Sequence, residues 1–272
     1  MNGPGRSDRG AHGGGARGRG PRSGPPHGVV LDTDGVLLDS AVVHAAAWKI
    51  AFDACLDTPA PDGGTQPPFD ADAEYRRLVD GRSRYDGAAA FLAARGLRLP
   101  PGDPRDAPGR GTVWAVAARK EQAFGDVLRS EGVAAFEDAR PALAALRAAR
   151  VPCAAVSASR HARALLRAAG LDAHLPVVVD GEDSARLGLA GKPDPALFLH
   201  AARLLGTRPE DTAVVEDAVA GIAAARRGHF GLVAGLDRTP DRRATPGLRE
   251  EGADTVVTDL VALVEQVWGV TV

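Results

Sequence analysis

Acid, hydroxyl and ammonium groups recur in this chain at or just after apolar runs, and their types suit phosphoryl transfer. Asp32 and Asp34 follow the run in GVVLDTDG, and Ser157 follows CAAV. Lys192 stands in GKPDP, and Glu216 and Asp217 close AVVED. A carboxylate such as Asp32 can attack phosphorus and become an aspartyl-phosphate. A second carboxylate two residues on, here Asp34, can act as general acid and base. The Ser157 hydroxyl and the Lys192 ammonium can hold phosphoryl oxygens and offset their charge. Crowded carboxylates repel one another unless a cation sits among them. Mg²⁺ prefers few protein carboxylates together with phosphate oxygens and water. Gly35, directly after the pair, permits a tight backbone turn.

Short apolar runs must position these groups. They fall at 29–31, 152–156, 177–179, 212–215, 230–234 and 255–257. Ala/Leu/Arg stretches of helical length lie between most of them, at 138–149, 159–169, 194–205 and 218–227. Fully apolar strands alternating with amphipathic helices predict an α/β fold, a doubly wound parallel sheet covered on both faces. Ligands bind beyond the carboxyl ends of such strands. The four polar groups are therefore expected to end successive strands. Residues 41–135 break the rhythm, with predicted helices at about 41–55, 72–80, 85–95 and 112–131. Loops rich in Pro, Gly and Asp fill 57–71 and 98–111, and no strand is predicted. This reads as an inserted helical cap domain, large enough for its own small core and placed to act as a lid. The core domain is then 27–40 with 136–272, preceded by a disordered Arg/Gly/Pro-rich tail, 1–26.

Composition narrows the class. The 272 residues carry a net charge of −2, which excludes a global footprint for nucleic acid or an anionic membrane. The tail contributes five Arg against Asp8, or +4, leaving −2 − 4 = −6 for the rest. No apolar run approaches the roughly 18 residues of a membrane span. The N-terminus lacks the apolar stretch of a secretion signal. Cys55 and Cys153 show neither ligand spacing nor a disulfide framework, which fits a reducing cytoplasm. Aromatics are 4%, so a mostly aliphatic core is expected. Lysine is scarce: Lys49, Lys120 and Lys192 stand against 30 arginines. Such scarcity reads as a codon-composition bias, and within it a lysine that is kept is a candidate for a place where a compact ammonium suits and a guanidinium fork does not.

Taken in order, the apolar run with D-x-D-G-V-L-x-D-S, the Ser157 segment, G-K-P-x-P and E-D-A-x-x-G-I resemble the haloacid-dehalogenase (HAD) superfamily of phosphatases and phosphomutases. The likeness covers 28–40 and about 136–260, plus the cap. Within that superfamily the chain most resembles the β-phosphoglucomutase group. His44 and Trp48 after the nucleophile loop, Gly81-Arg82-Ser83-Arg84, and Ala118-Arg119-Lys120 carry this narrower likeness. The resemblance implies a Rossmann-like core and a Mg²⁺-dependent enzyme acting on a sugar phosphate, most closely β-glucose 1-phosphate to glucose 6-phosphate through the 1,6-bisphosphate. It implies Asp32 as nucleophile and Asp34 as acid/base. It places Ser157, Ala158 and Lys192 at the transferring phosphoryl group, and Gly81 and Arg84 at the distal end of the substrate. His44 and Lys120 complete the closed site. Asp32, Asp34 through its carbonyl, Glu216 and Asp217 surround the metal, with Glu216 either in direct or water-mediated contact or standing behind the ligands as a supporting acid. The expected partner is a small-molecule sugar phosphate, bound by a cytoplasmic monomer without nucleic acid or membrane.

Other readings accompany these. Ser157 is also a natural N-cap for a helix over 159–169. His44, Arg84 and Lys120 also suit plain boundary or solvated positions. A sugar-phosphate phosphatase on the same fold is the second functional reading, and a binding module using the Arg-Gly tail is the third. Three features depart from the mutase pattern: Thr33 between the aspartates, Arg160-His161 where those enzymes often carry Lys-Asn, and the long loops at 57–71 and 98–111.

Overall fold

A computed structural model describes residues 24–57, 66–239 and 241–272. The expected disorder of the tail therefore lies almost wholly outside the described residues, as does part of the loop at 57–71.

Strand β1 (Gly28–Asp32) leads into α1 (Ala41–Leu56), a π-helical turn (Tyr75–Val79), α2 (Arg84–Ala94) and α3 (Val113–Glu131). The chain then returns through α4 (Ala139–Ala148), β2 (Cys153–Val156), α5 (Ala162–Ala168), β3 (Val177–Val179), α6 (Gly181–Leu187) and α7 (Ala196–Leu205). It ends with β4 (Thr212–Glu216), α8 (Val219–Arg227), β5 (Leu232–Leu236), α9 (Thr245–Glu250), β6 (Thr255–Val257) and α10 (Leu260–Trp268). The six strands form one parallel sheet in the order β3-β2-β1-β4-β5-β6. The connections run outward in both directions from β1 and β4, which creates the crevice where such sheets bind ligands.

Alternation along β1 divides the core. Val29 and Leu31 join α4, α5 and α10 on one face. Val30 joins α7, α8 and Leu248 of α9 on the other. Both faces are covered, so the strands read as continuous apolar runs. A third cluster gathers residues from between 45 and 117 around Phe52 and Phe91, whose rings stack at 3.8 Å, with Phe69 edge-on to both. The expected aliphatic core holds for the sheet, whereas the inserted helices add a group of stacked and edge-on aromatics to their aliphatic packing.

The helical segment leaves and rejoins the sheet through two adjacent crossings. Asp39 N–H donates to Ala134 O at 2.9 Å, and Phe136 N–H to Leu37 O at 3.1 Å. Arg238, just after β5, fastens both. Its guanidinium donates to Gly35 O (3.2 Å) and Val36 O (2.9 Å) on one crossing and to Asp138 Oδ1 (2.9 Å) on the other, while stacking 3.8 Å above Phe136.

Local differences from the sequence reading have physical causes. The stretch 72–80 is helical over 73–79, with its last five residues in the π turn, and Asp70 Oδ1 caps its start by accepting from Asp72 and Ala73 N–H. Helix α5 begins at Ala162, so Ser157 is not its N-cap. Helix α6 was not expected, yet Asp180 and Asp183 form a capping box that starts it. No helix among the described residues is long and apolar enough to cross a membrane.

Candidate active site

Asp32 closes the central strand β1 and is buried. Its Oδ2 accepts from the Asp34 backbone N–H at 3.1 Å, and its Oδ1 accepts from Lys192 Nζ. Lys192 also donates to Glu216 Oε1, while Glu216 Oε2 accepts from Ala218 N–H at 2.7 Å. Lys192 does not end a strand, contrary to expectation. It lies in the loop between α6 and α7 and reaches the β1 and β4 ends from there. Its side chain is 1% exposed and stands 5.1 Å from the Phe198 ring centre.

Asp34 turns its side chain away from this cluster. Ser40 Oγ donates to its Oδ1, Ser157 Oγ donates to its Oδ2 at 2.8 Å, and His44 Nε2 lies 3.4 Å from Oδ1. Burial alone would raise its pKa, but His44 and these hydroxyls hold the carboxyl well below its ordinary range. The metal-binding expectation for Asp34 therefore concerns its backbone carbonyl, since its side-chain oxygens serve this network. Lys120 Nζ lies 3.0 Å from His44 Nδ1. An ammonium only donates, so Nδ1 accepts and the proton of neutral His44 sits on Nε2, facing Asp34. Burial pulls Lys120 down to about 8. Burial and then the Lys120 charge lower His44 as well. Ser157 Oγ meanwhile accepts from Ser159 N–H at 3.0 Å, so the serine orders the loop after β2 although it caps no helix.

Two glycines let this cluster close. Gly35 has φ +79°, and a Cβ there would lie 1.8 Å from Asp217 Oδ2. A Cβ at Gly221 would lie 1.7 Å from Glu216 Oε1. Both glycines make room for carboxylates, which accounts for the G of each motif in steric terms.

One cavity of about 340 Å³ joins the sheet ends to the inserted helices. Asp32, Asp34, His44, Gly81, Arg84, Lys120, Ala158, Lys192 and Asp217 all line it, whereas Glu216 lies beneath. Arg84 stands 5.7 Å from the Trp114 ring centre and 3.3 Å from Glu121 Oε2. Three acids missed by sequence reasoning, Asp80, Asp86 and Glu121, also line the wall. Asp80 rides on the loop after the π turn, and burial followed by the charge of Glu216 raises it to about 6. Glu121 follows Lys120 on α3 and pairs with His161. Asp80 had no sequence signal separating it from exposed neighbours such as Asp70 and Asp72. Glu121 had one, its place directly after Lys120.

Asp32, Glu216 and Asp217 each offer an oxygen, and these atoms lie within 4.8 Å of one another. Burial and mutual repulsion raise Asp32 and Asp217 well above the carboxylate range. An all-oxygen, mutually repelling set fits a hard divalent cation such as Mg²⁺.

A parallel sheet with an acid cluster at its central strand ends, facing an enclosed cavity under inserted helices, defines a class of α/β enzyme. The family model for haloacid dehalogenase-like hydrolases matches residues 26–229. The chain is 42% identical over 235 residues to a β-phosphoglucomutase of Mycobacterium bovis, covering 86% of this chain and 90% of that one. It is 30% identical over 203 residues to a β-phosphoglucomutase of Bacillus subtilis, covering 72% and 77% respectively. Among solved structures, a HAD family hydrolase from Deinococcus radiodurans with bound phosphate and sodium superposes with TM-score 0.60 at 31% identity, over 89% of this chain and 94% of that one. The chain belongs to the haloacid dehalogenase-like hydrolase family. It is an enzyme of that family, a phosphomutase or a phosphatase.

Proposed function

We propose that this enzyme is a Mg²⁺-dependent β-phosphoglucomutase, converting β-glucose 1-phosphate to glucose 6-phosphate through the 1,6-bisphosphate. The observation that carries this reading is the pairing of two differently held carboxylates at one strand end. Asp32 faces the cations, and Asp34 is kept ionised by Ser40, Ser157 and His44.

Asp32 attacks the phosphoryl group of the bisphosphate and forms an aspartyl-phosphate. The P–O bond to the sugar breaks, and the leaving sugar oxygen takes back the proton that Asp34 acquired in the preceding half-reaction, which releases a sugar monophosphate and returns Asp34 to its ionised form. Lys192 holds the phosphoryl oxygens as charge shifts onto them, and Ser157, whose single proton goes to Asp34 in this structure, joins it when that hydrogen bond is exchanged for one to the phosphoryl group. Asp34 in its ionised form takes the proton from the sugar's other hydroxyl, which then attacks the phospho-aspartate. His44, aligned by Lys120, keeps Asp34 oriented. Asp32, Glu216, Asp217 and the Asp34 carbonyl would hold the metal. When bound, Mg²⁺ neutralises the carboxylate cluster and polarises the phosphoryl group. Residues 41–135 form the cap, and its closure keeps water from the phospho-enzyme. Arg84 serves the substrate's far end.

The 42% identity to the mycobacterial enzyme supports the sugar and the mutase outcome. The test is product analysis with β-glucose 1-phosphate, Mg²⁺ and a trace of the 1,6-bisphosphate. Glucose 6-phosphate is the expected product. Free phosphate in its place would make the enzyme a sugar-phosphate phosphatase, and neither product would refute phosphoryl transfer on this sugar.

A further inference from the structure

Charges of both signs line the cavity. Asp32, Asp34, Asp80 and Asp217 gather at the sheet end and the π-turn loop with Lys192 and Arg82 among them, while Arg84, Lys120 and Arg160 bring positive charge from α2, α3 and the loop after β2, where the Asp86 carboxylate accepts from Ser83. Glu121 stands among these cations. Its Oε1 is hydrogen-bonded to His161 Nε2, and its Oε2 lies 3.3 Å from Arg84 Nη1. His161 in turn stacks against Phe124, which is fully buried, at 5.2 Å. The side chains of Arg84 and Glu121 are only 19% and 25% exposed, so their attraction is less screened than at the surface. Burial pushes the Glu121 carboxyl up, but the His161 hydrogen bond and the Lys120 charge outweigh it and leave the group at about 2.

An ionised carboxylate holding an arginine and a histidine resembles, in charge and geometry, one face of a phosphate doing the same. We propose that Glu121 is a specificity-determining residue whose carboxylate occupies Arg84 and His161 where a second phosphate of the substrate would bind. This rests on the reading that sugar phosphates enter this cavity. A doubly phosphorylated sugar then binds only by displacing Glu121, at the cost of two charge-assisted contacts. A sugar with a hydroxyl at that end meets a hydrogen-bond acceptor instead. Glu121 thereby sets the balance between bisphosphate and monophosphate in one cavity.

The test compares equilibrium binding of glucose 1,6-bisphosphate and glucose 1-phosphate by calorimetry, in the full chain and in Glu121→Gln. The Gln side chain keeps the volume and loses the charge. Bisphosphate should bind about tenfold more tightly to the variant, with a change of less than about twofold for the monophosphate. Unchanged or weaker bisphosphate binding overturns the proposal, because Glu121 then only supports Arg84. Equal tightening of both ligands also overturns it, as a general field effect. If the Gln variant does not fold, Glu121→Ala removes the same competitor and predicts the same direction. Turnover of the bisphosphate, followed separately, keeps the two readings apart. Tighter binding without turnover sustains the role of Glu121 and refutes the phosphoryl-transfer mechanism. Binding of neither ligand by either protein refutes both.

Discussion

Replacing Lys192 by Met would remove an ammonium from between two buried carboxylates while keeping most of the side-chain volume. Asp32 and Glu216 would face each other with no cation between them. Breaking a buried ion pair from one side costs about 3–5 kcal/mol. In a protein of this size each kcal/mol moves Tm by roughly 2–4 °C, so a fall of roughly 6–20 °C is expected. The loss has a pH signature. Burial already holds Asp32 above its ordinary pKa despite the neighbouring Lys192, and removing the ammonium raises it further. A group whose folded pKa exceeds its unfolded value contributes stability below the unfolded pKa and loses it as pH rises through the folded one. The Tm gap between variant and native protein should therefore widen as pH rises and narrow as pH falls towards the ordinary carboxylate range. Calorimetric melts in the presence of a chelator would measure this without a metal substituting for the lysine. The companion Lys192→Arg keeps the charge, but its planar fork does not fit a site where the side chain is 1% exposed. Turnover should drop about 10²-fold or more. A Met variant within about 2 °C of the native Tm at every pH, or an Arg variant with normal turnover, would refute this reasoning.

Asp32→Asn keeps the shape and removes one charge from the repelling cluster, so turnover should fall by ~10⁴-fold while Tm holds or rises. Retained turnover would remove Asp32 from the nucleophile role. Lys120 is charged below its pKa of about 8 and neutral above it. KM for the sugar phosphate should therefore increase as pH passes through about 8, and Lys120→Met should abolish that inflection. The same inflection in the variant would assign it to another group.

The sheet was legible because helices cover both its faces, so the central strands are buried throughout and even the half-buried edge strands are spelled as apolar runs. Val177–Val179 and Thr255–Val257 fall where their composition placed them. Helix α6 escaped notice because GEDSARL is short and polar, and its start depends on the Asp180 capping box. The strand-end groups Asp32, Ser157, Glu216 and Asp217 were read from local spelling, since the strand itself positions them. Lys192 was found by its motif but assigned to the wrong kind of element, because a long side chain can reach a strand end from a loop. Asp80 was missed because its burial comes wholly from tertiary packing, where its loop meets the sheet and Gly81 comes within 2.9 Å (added Cβ) of Ala218 Cβ. Two of the three lysines lie buried at the cavity, while Lys49 pairs with Asp53 at 2.8 Å on a half-exposed helix face.

Arg238 joins the two crossings into one short stem, and that stem begins at Gly35, the residue after Asp34. The first residue of the stem thus adjoins Asp34, the base proposed above, and the stem runs on to α1 at Ala41. If the inserted helices close over the substrate as proposed, a change in their angle would turn the Gly35 peptide and with it the direction in which Asp34 points. Proton transfer and enclosure of the substrate would then be geared together through one peptide.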